Sequence, residues 1–193
     1  MSRPNPLLLF AVLAVVLAGL SALSLTKGGL YIARHEGDIL HLLAILFRLE
    51  QGQVPHLDFM TPIGAFAFLP IDGFMERGFG VDQSVHLGQT AVAVALLPMI
   101  WWAGWTRLAG IWGYVFGLAC VFLCLALVHG QSVDAVSIAM HYNRWAWALA
   151  YIAVVLAVLP AKGRAFPVID GAMIGLCVAG LVMIKVTYVV GLA

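Results

Sequence analysis

Residues 6–25, PLLLFAVLAVVLAGLSALSL, contain no charged side chain. About 20 apolar residues suffice to carry a helix across a hydrocarbon core about 30 Å thick. Lipid offers no partner to a bare N–H or C=O, so such a run must satisfy its own backbone as a helix. Four further runs are apolar enough to read as spans, at 84–105, 108–128, 145–160, which is short, and 167–187, which carries Asp170 and Lys185 near its ends. The chain as a whole agrees: 63% of its 193 residues are hydrophobic and 10% charged, where a soluble domain is about half apolar and a quarter charged. The expectation is an all-α, polytopic integral membrane protein, a single membrane domain over 1–193 with about five transmembrane helices. Residues 27–83 form an outer loop that carries interfacial helices.

Arg3 precedes the first run and small residues end it, which is also the outline of a signal peptide. The run exceeds the usual 7 to 15 apolar residues of such a peptide, so it is read as the first span. Residues 62–75, PIGAFAFLPIDGFM, are shorter and broken by Pro62, Pro70 and Asp72. They suit an interfacial or re-entrant segment. With that segment not crossing, Arg3, Arg107, Lys162 and Arg164 share one side, which the positive-inside rule makes the cytoplasm. Glu36, Asp38, Glu50, Asp58, Asp72, Glu76, Asp82 and Asp134, eight of the nine acidic residues, fall on the other side. The N-terminus is therefore expected inside and residues 35–64, HEGDILHLLAILFRLEQGQVPHLDFMTPIG, outside.

Residues 38–50 have helical periodicity. Asp38, His41 and Arg48 share a narrow face, and Ile39, Leu42, Leu43, Leu46 and Leu49 cover much of the rest. A helix this apolar with a thin polar stripe is expected to lie in the headgroup plane, with Gly52 and Pro55 ending it. Small residues line two spans: Gly110, Gly113, Gly117, Cys120 and Cys124 in the third, Gly171, Gly175 and Ala179 in the fifth. Both rows are read as faces that meet other helices. The six tryptophans, near span ends, read as an aromatic belt. The three cysteines sit in apolar runs without disulfide or zinc spacing and read as packing residues.

The outer stretch also carries a pattern: Glu36, Gly37 and Asp38, an interfacial helix, Gly52, Pro55, Asp58 and Phe59, then Pro62 and Gly64. Tyr142, Asn143 and Arg144 precede a span, and Lys185, Thr187 and Tyr188 follow one. This order resembles the GT-C superfamily of polytopic glycosyltransferases, which includes protein mannosyltransferases and aminoarabinose transferases. The likeness covers the chain in order, although those enzymes are usually two to three times longer. The chain stops at TYVVGLA, just past a span and without a polar tail, and so reads as the first part of something longer.

What the resemblance implies is transfer of a sugar from a polyprenyl phosphate at the extracytoplasmic face of a bacterial inner membrane. The acceptor hydroxyl then needs a carboxylate base and the leaving phosphate needs positive charge. Glu36 or Asp38 would supply the base, and both remain open. Arg34, Arg144 and Lys185 would hold phosphate, with Asp58 and His56 beside the substrate. Plainer roles compete for the same residues. Asp38 precedes an apolar helix and would serve as its N-cap, worth about 1 kcal/mol. Glu36 suits a solvated loop, Asp58 a turn cap, and Arg144 and Lys185 can snorkel to headgroups.

No cofactor, metal or nucleic-acid partner is expected; the net charge is only +1. His35, Glu36 and His41 lack the i, i+4 histidine spacing of a zincin. A haem held between His86 and His129 rests on position alone. The rival to an enzyme is a non-catalytic subunit on the same scaffold, held in a larger complex by its small-residue faces. A transporter is a weaker reading, because no span carries an acidic residue near mid-bilayer.

Overall fold

The computed structural model describes residues 2–27, 36–126 and 140–190. All regular structure among them is helical: α1 (Pro6–Lys27), α2 (Glu36–Glu50), a 3-10 turn (Ala65–Ala67), α3 (Leu69–Met75), α4 (Val81–Arg107), α5 (Ile111–Leu125), α6 (His141–Val158), α7 (Pro167–Ile184) and α8 (Thr187–Val190). Three of these, over Pro6–Thr26, Val81–Arg107 and Pro167–Ile184, are long and apolar enough to cross a membrane.

Contacts between chain segments sort the helix ends into two groups. At one end Gly110 donates its backbone N–H to Ser2 O (2.9 Å), Lys162 N–H reaches Thr106 O (2.8 Å), and the Arg107 guanidinium meets Asp170 at 2.6 Å. At the other, Ser21 and Thr90 hydroxyls join α1 to the first half of α4 at 3.1 Å. There too Trp145 Nε1 donates to Cys124 O (3.2 Å), and the backbone N–H of Gly64 donates to Ile184 O (2.7 Å). Helices α1, α4, α5, α6 and α7 therefore run alternately between the Arg107 end and the Asp38 end of one bundle.

Lipid tails are as apolar as leucine, so close fit, not expulsion of water, must hold such helices together. The fit is tightest where glycine lets backbones meet. A Cβ at Gly104 would stand 3.1 Å from Gly113 O, joining α4 to α5, and a Cβ at Gly117 would stand 2.7 Å from Leu13 Cδ2 on α1. The expected row in α5 is thus a true interface. The row in α7 is not: neither Gly171 nor Gly175 has anything within 4 Å of where a Cβ would be. The close approach of α7 falls instead at Gly180, opposite Leu149 Cδ1 of α6 at 2.9 Å.

Helix ends shifted in both directions relative to the apolar runs: α1 and α4 run past theirs, while α5, at Ile111–Leu125, falls short of 108–128. The fourth run begins at His141, so Tyr142, Asn143 and Arg144 lie inside α6 and not before it. The fifth stops at Ile184, where Lys185 turns extended, and Thr187–Val190 forms its own short helix. Residues 62–75 fold as the 3-10 turn and α3, packed between α4 and α7. Pro70 is tolerated in the first turn of α3, where its missing N–H has no helical partner to lose. Gly64 sits against the α7 terminus so closely that any Cβ would collide with Met183 O.

Helix α2 buries one face and leaves the other open. Ile39, Leu42, Ile45 and Leu46 are buried against the bundle while Leu40 and Phe47 are exposed. Its C-terminus closes at Gly52, whose φ of +76° suits a residue without Cβ. Gly52 N–H reaches Leu49 O (2.8 Å) and Gln53 N–H reaches Arg48 O (3.0 Å).

Candidate functional site

Two places at the Asp38 end gather polar side chains. The first is the start of α2, where Asp38 comes into range of Tyr142 on α6. Helix α2 begins at Glu36, two residues ahead of the expected N-cap, so Asp38 lies inside the first turn. Its carboxylate is exposed and accepts no hydrogen bond from the described residues. A carboxylate in a first turn is favoured by the helix dipole, but Asp38 does not cap this helix. It stands in electrostatic range of the Tyr142 hydroxyl on α6. Tyr142 in turn stands beside Tyr188 of α8. Burial, with Tyr142 adding to it, pushes the Tyr188 phenol up to about 12. Tyr188 therefore stays a neutral donor at any physiological pH.

The second place is an open groove of about 300 Å³ between α2 and the 54–60 loop, lined by His41, Arg48, Asp58 and Phe59 among others. The loop is self-capped. Val54 N–H donates to Asp58 Oδ2 at 2.7 Å, and Leu57 and Asp58 N–H groups return to Val54 O at 3.2 and 2.9 Å. His56 takes a φ of +66° in this turn and gives its own N–H to Phe59 O (2.8 Å). The Arg48 guanidinium lies 5.1 Å from the centre of the Phe59 ring, and His41 Nε2 is 3.2 Å from Thr61 Oγ1. Asp58 thus has a structural duty that accounts for its presence.

The residues singled out from the sequence are scattered across these surroundings. Arg34, His35, His129 and Asp134 lie outside the described residues, as does the side chain of Glu36. Asp38 and Asp58 flank α2 at opposite ends, and His56 is exposed on the loop tip. Lys185 is half-buried at the α7 terminus, where its carbonyl accepts from Tyr188 N–H at 3.1 Å. Arg144 is 2% exposed and lies within the bundle rather than snorkelling outward. His141, on the turn before it, meets Ala67 O at 2.6 Å and stacks edgewise on Trp145. His86 is also buried, and neither ring nitrogen has a hydrogen-bond partner among the described residues.

Three features escaped sequence reasoning. Asp170 pairs with Arg107 and also accepts from Trp102 Nε1 at 2.8 Å. Its signal was available: it is the ninth acid, in the first turn of a span on the side that holds the cations. Asp72 is buried at 7% exposure on α3. Desolvation, reinforced by the charges of Glu76 and Glu50, raises its carboxyl above the usual carboxylate range. Trp145 is fully buried in the core and not part of a belt, whereas Trp101, Trp102 and Trp105 cluster at the Arg107 end with rings 5.4 to 6.3 Å apart. No protein-family model, curated protein or solved structure matches this chain.

Proposed function

We propose that this chain is part of a membrane-embedded glycosyltransferase of the GT-C type that uses a polyprenyl-phosphate-linked sugar, with its site at the Asp38 end of the bundle. The observation that carries the reading is the state of Asp38. It is an exposed carboxylate with no capping or pairing duty among the described residues, in electrostatic range of Tyr142, which itself neighbours Tyr188, at the rim of an apolar bundle. A carboxylate in that position can take a proton from an acceptor hydroxyl. Tyr188 and Lys185 supply a donor and a positive charge at the same end for the departing phosphate. Glu36, one turn-step away in sequence, is the other candidate base. The reading also takes five crossings, α1, α4, α5, α6 and α7, with the N-terminus in the cytoplasm of a bacterial cell. Their alternation between two ends and the gathering of Arg3, Arg107, Lys162 and Arg164 at one of them support it.

The test is transfer of sugar from a polyprenyl phosphate by the intact protein carrying Asp38→Asn, with Glu36→Gln in parallel. The amide keeps the size of the acid but accepts no proton, and Asp38 makes no hydrogen bond whose loss would unfold the chain. At least one variant should lose several orders of magnitude in turnover at unchanged thermal stability. Transfer at the wild-type rate in both, or none to measure in the wild type, removes the enzyme. The accessory-subunit reading then stands, and the open Gly171 and Gly175 face of α7, flanked by exposed Val168 and Leu176, is the place where a neighbouring helix would seat.

A further inference from the structure

The opposite end of the bundle carries a charge arrangement that sugar transfer does not use. Four basic residues meet there, from three stretches of chain: Arg3 from the N-terminal segment, Arg107 from the end of α4, and Lys162 with Arg164 from the α6–α7 connection. Arg107 is neutralised by Asp170, and that is the sole ion pair among the described residues. Among the described residues Arg3, Lys162 and Arg164 have no carboxylate partner. They are nevertheless held in place. The Arg3 guanidinium lies 5.6 Å from the centre of the Trp105 ring and against Gly163, whose φ of +93° and lack of Cβ make room for it. Arg164 lies 5.3 Å from the centre of the Phe166 ring. The chain at Lys162 is tethered to the end of α4, where its backbone N–H donates to Thr106 O, and the N-terminal segment is tied through Ser2 O to Gly110 N–H.

Like charges repel one another, and three cations that the fold brings to one end, without a carboxylate partner among the described residues, are complementary to an anion brought from outside. The apolar turns that directly follow Arg3 and Arg164 in the chain expose Leu7 and Val168 by 80% and 83%, which suits acyl chains. We propose that the N-terminal segment, the end of α4 and the 159–166 connection together hold the headgroup of an anionic phospholipid. The tryptophan cluster sets this end at the level of the headgroups, where such rings settle, and puts the three cations at the depth of lipid phosphate. Aqueous phosphate has no acyl chain to bring it there, so the ligand is the lipid and not the free ion. A generic excess of basic residues would require no fixed geometry. Here the N-terminal segment and the α6–α7 connection both dock on the end of α4.

The test uses the intact chain in neutral detergent with dioleoylphosphatidylglycerol or dioleoylphosphatidylcholine added at equal concentration, read by native mass spectrometry and by thermal unfolding. The attraction of basic residues to an anionic lipid predicts a tenfold to roughly hundredfold preference for phosphatidylglycerol in the wild type. Arg3→Gln/Lys162→Gln/Arg164→Gln should abolish the preference, and Arg164→Gln alone, on an exposed connection, should lower it several-fold. Arg77→Gln, which removes one charge far from this end, should leave it intact. Equal retention of the two lipids by the wild-type chain overturns the proposal without reference to any variant. So does an undiminished preference in the triple variant, an equal loss in Arg77→Gln, or the same stabilisation from inorganic phosphate alone.

Discussion

At the scale of single residues, Asp170 shows how an ion pair can be both expensive and indispensable. Its carboxylate is only 10% exposed and the Arg107 side chain 6%, so both charges have left water. The pair at 2.6 Å and the Trp102 donor offset that desolvation. Replacing one member leaves the other buried and unpaired, a loss of about 3–5 kcal/mol. Asp170→Asn should therefore lower the unfolding temperature in detergent markedly, and an unchanged melt would show that Arg107 finds water or another acceptor. Asp72 works in the opposite sense. Its carboxyl is raised from 3.8 by burial and by the neighbouring acids, so the folded protein prefers it neutral. The ionised form costs stability at neutral pH, and that cost disappears as pH falls through the raised value toward 3.8. Asp72→Asn should accordingly melt at higher temperature than wild type at pH 7, with the gap closing in acid. A gap that persists below the model-peptide value would assign the effect to packing instead. The composition of a loop reveals neither case, because burial of a carboxylate depends on what folds over it.

At the scale of elements, the apolar runs were legible as helices because lipid imposes length and composition on a crossing helix, and three of them, over Pro6–Thr26, Val81–Arg107 and Pro167–Ile184, are long and apolar enough to cross. Their ends were less legible: α4 overruns its run on both sides, while α5 stops three residues short at each end. Which side of a helix meets a neighbour was half legible. A row of small residues at three- or four-residue spacing says that close approach is allowed. It does not say that a partner is present. Gly117 and Gly175 are alike in sequence context, yet only Gly117 faces a side chain, Leu13 on α1. Gly117→Leu should weaken the α1–α5 contact and lower the melting temperature, by about 1–3 kcal/mol for an overpacked site. Gly175→Leu should leave the isolated chain's melt within experimental error, and a loss as large as that of Gly117→Leu would place a helix against that face. The cap assigned to Asp38 failed for a related reason. Helix α2 began earlier than its apolar pattern, at Glu36, since acidic residues extend a first turn as readily as they precede it. The turn role of Asp58 was readable from its place before Pro62, and the bond from Val54 N–H confirms it.

At the scale of the whole molecule, orientation follows from where charge gathers once the helices have packed. Arg3, Arg107 and the Lys162–Arg164 pair come from three separate stretches of the sequence, and the positive-inside rule needs them on one side only in the sense of topology. The contacts tying Ser2 to Gly110, Thr106 to Lys162 and Arg107 to Asp170 make them neighbours at one end. The self-capped loop at Val54–Asp58 and the start of α2 belong to the other. A single cysteine can report this without any knowledge of function, provided the three buried native cysteines, Cys120, Cys124 and Cys177, stay silent. All three are buried, so a polar maleimide should leave them unlabelled. In intact cells, Gln51→Cys, an exposed position just after α2, should react with such a membrane-impermeant reagent, and Arg164→Cys should react only after the membrane is opened. The reverse pattern inverts the chain and puts Asp38 in the cytoplasm, away from an extracytoplasmic donor. Labelling of both positions in intact cells would mean that an odd number of crossings does not separate them, and the five-span arrangement would fall with it.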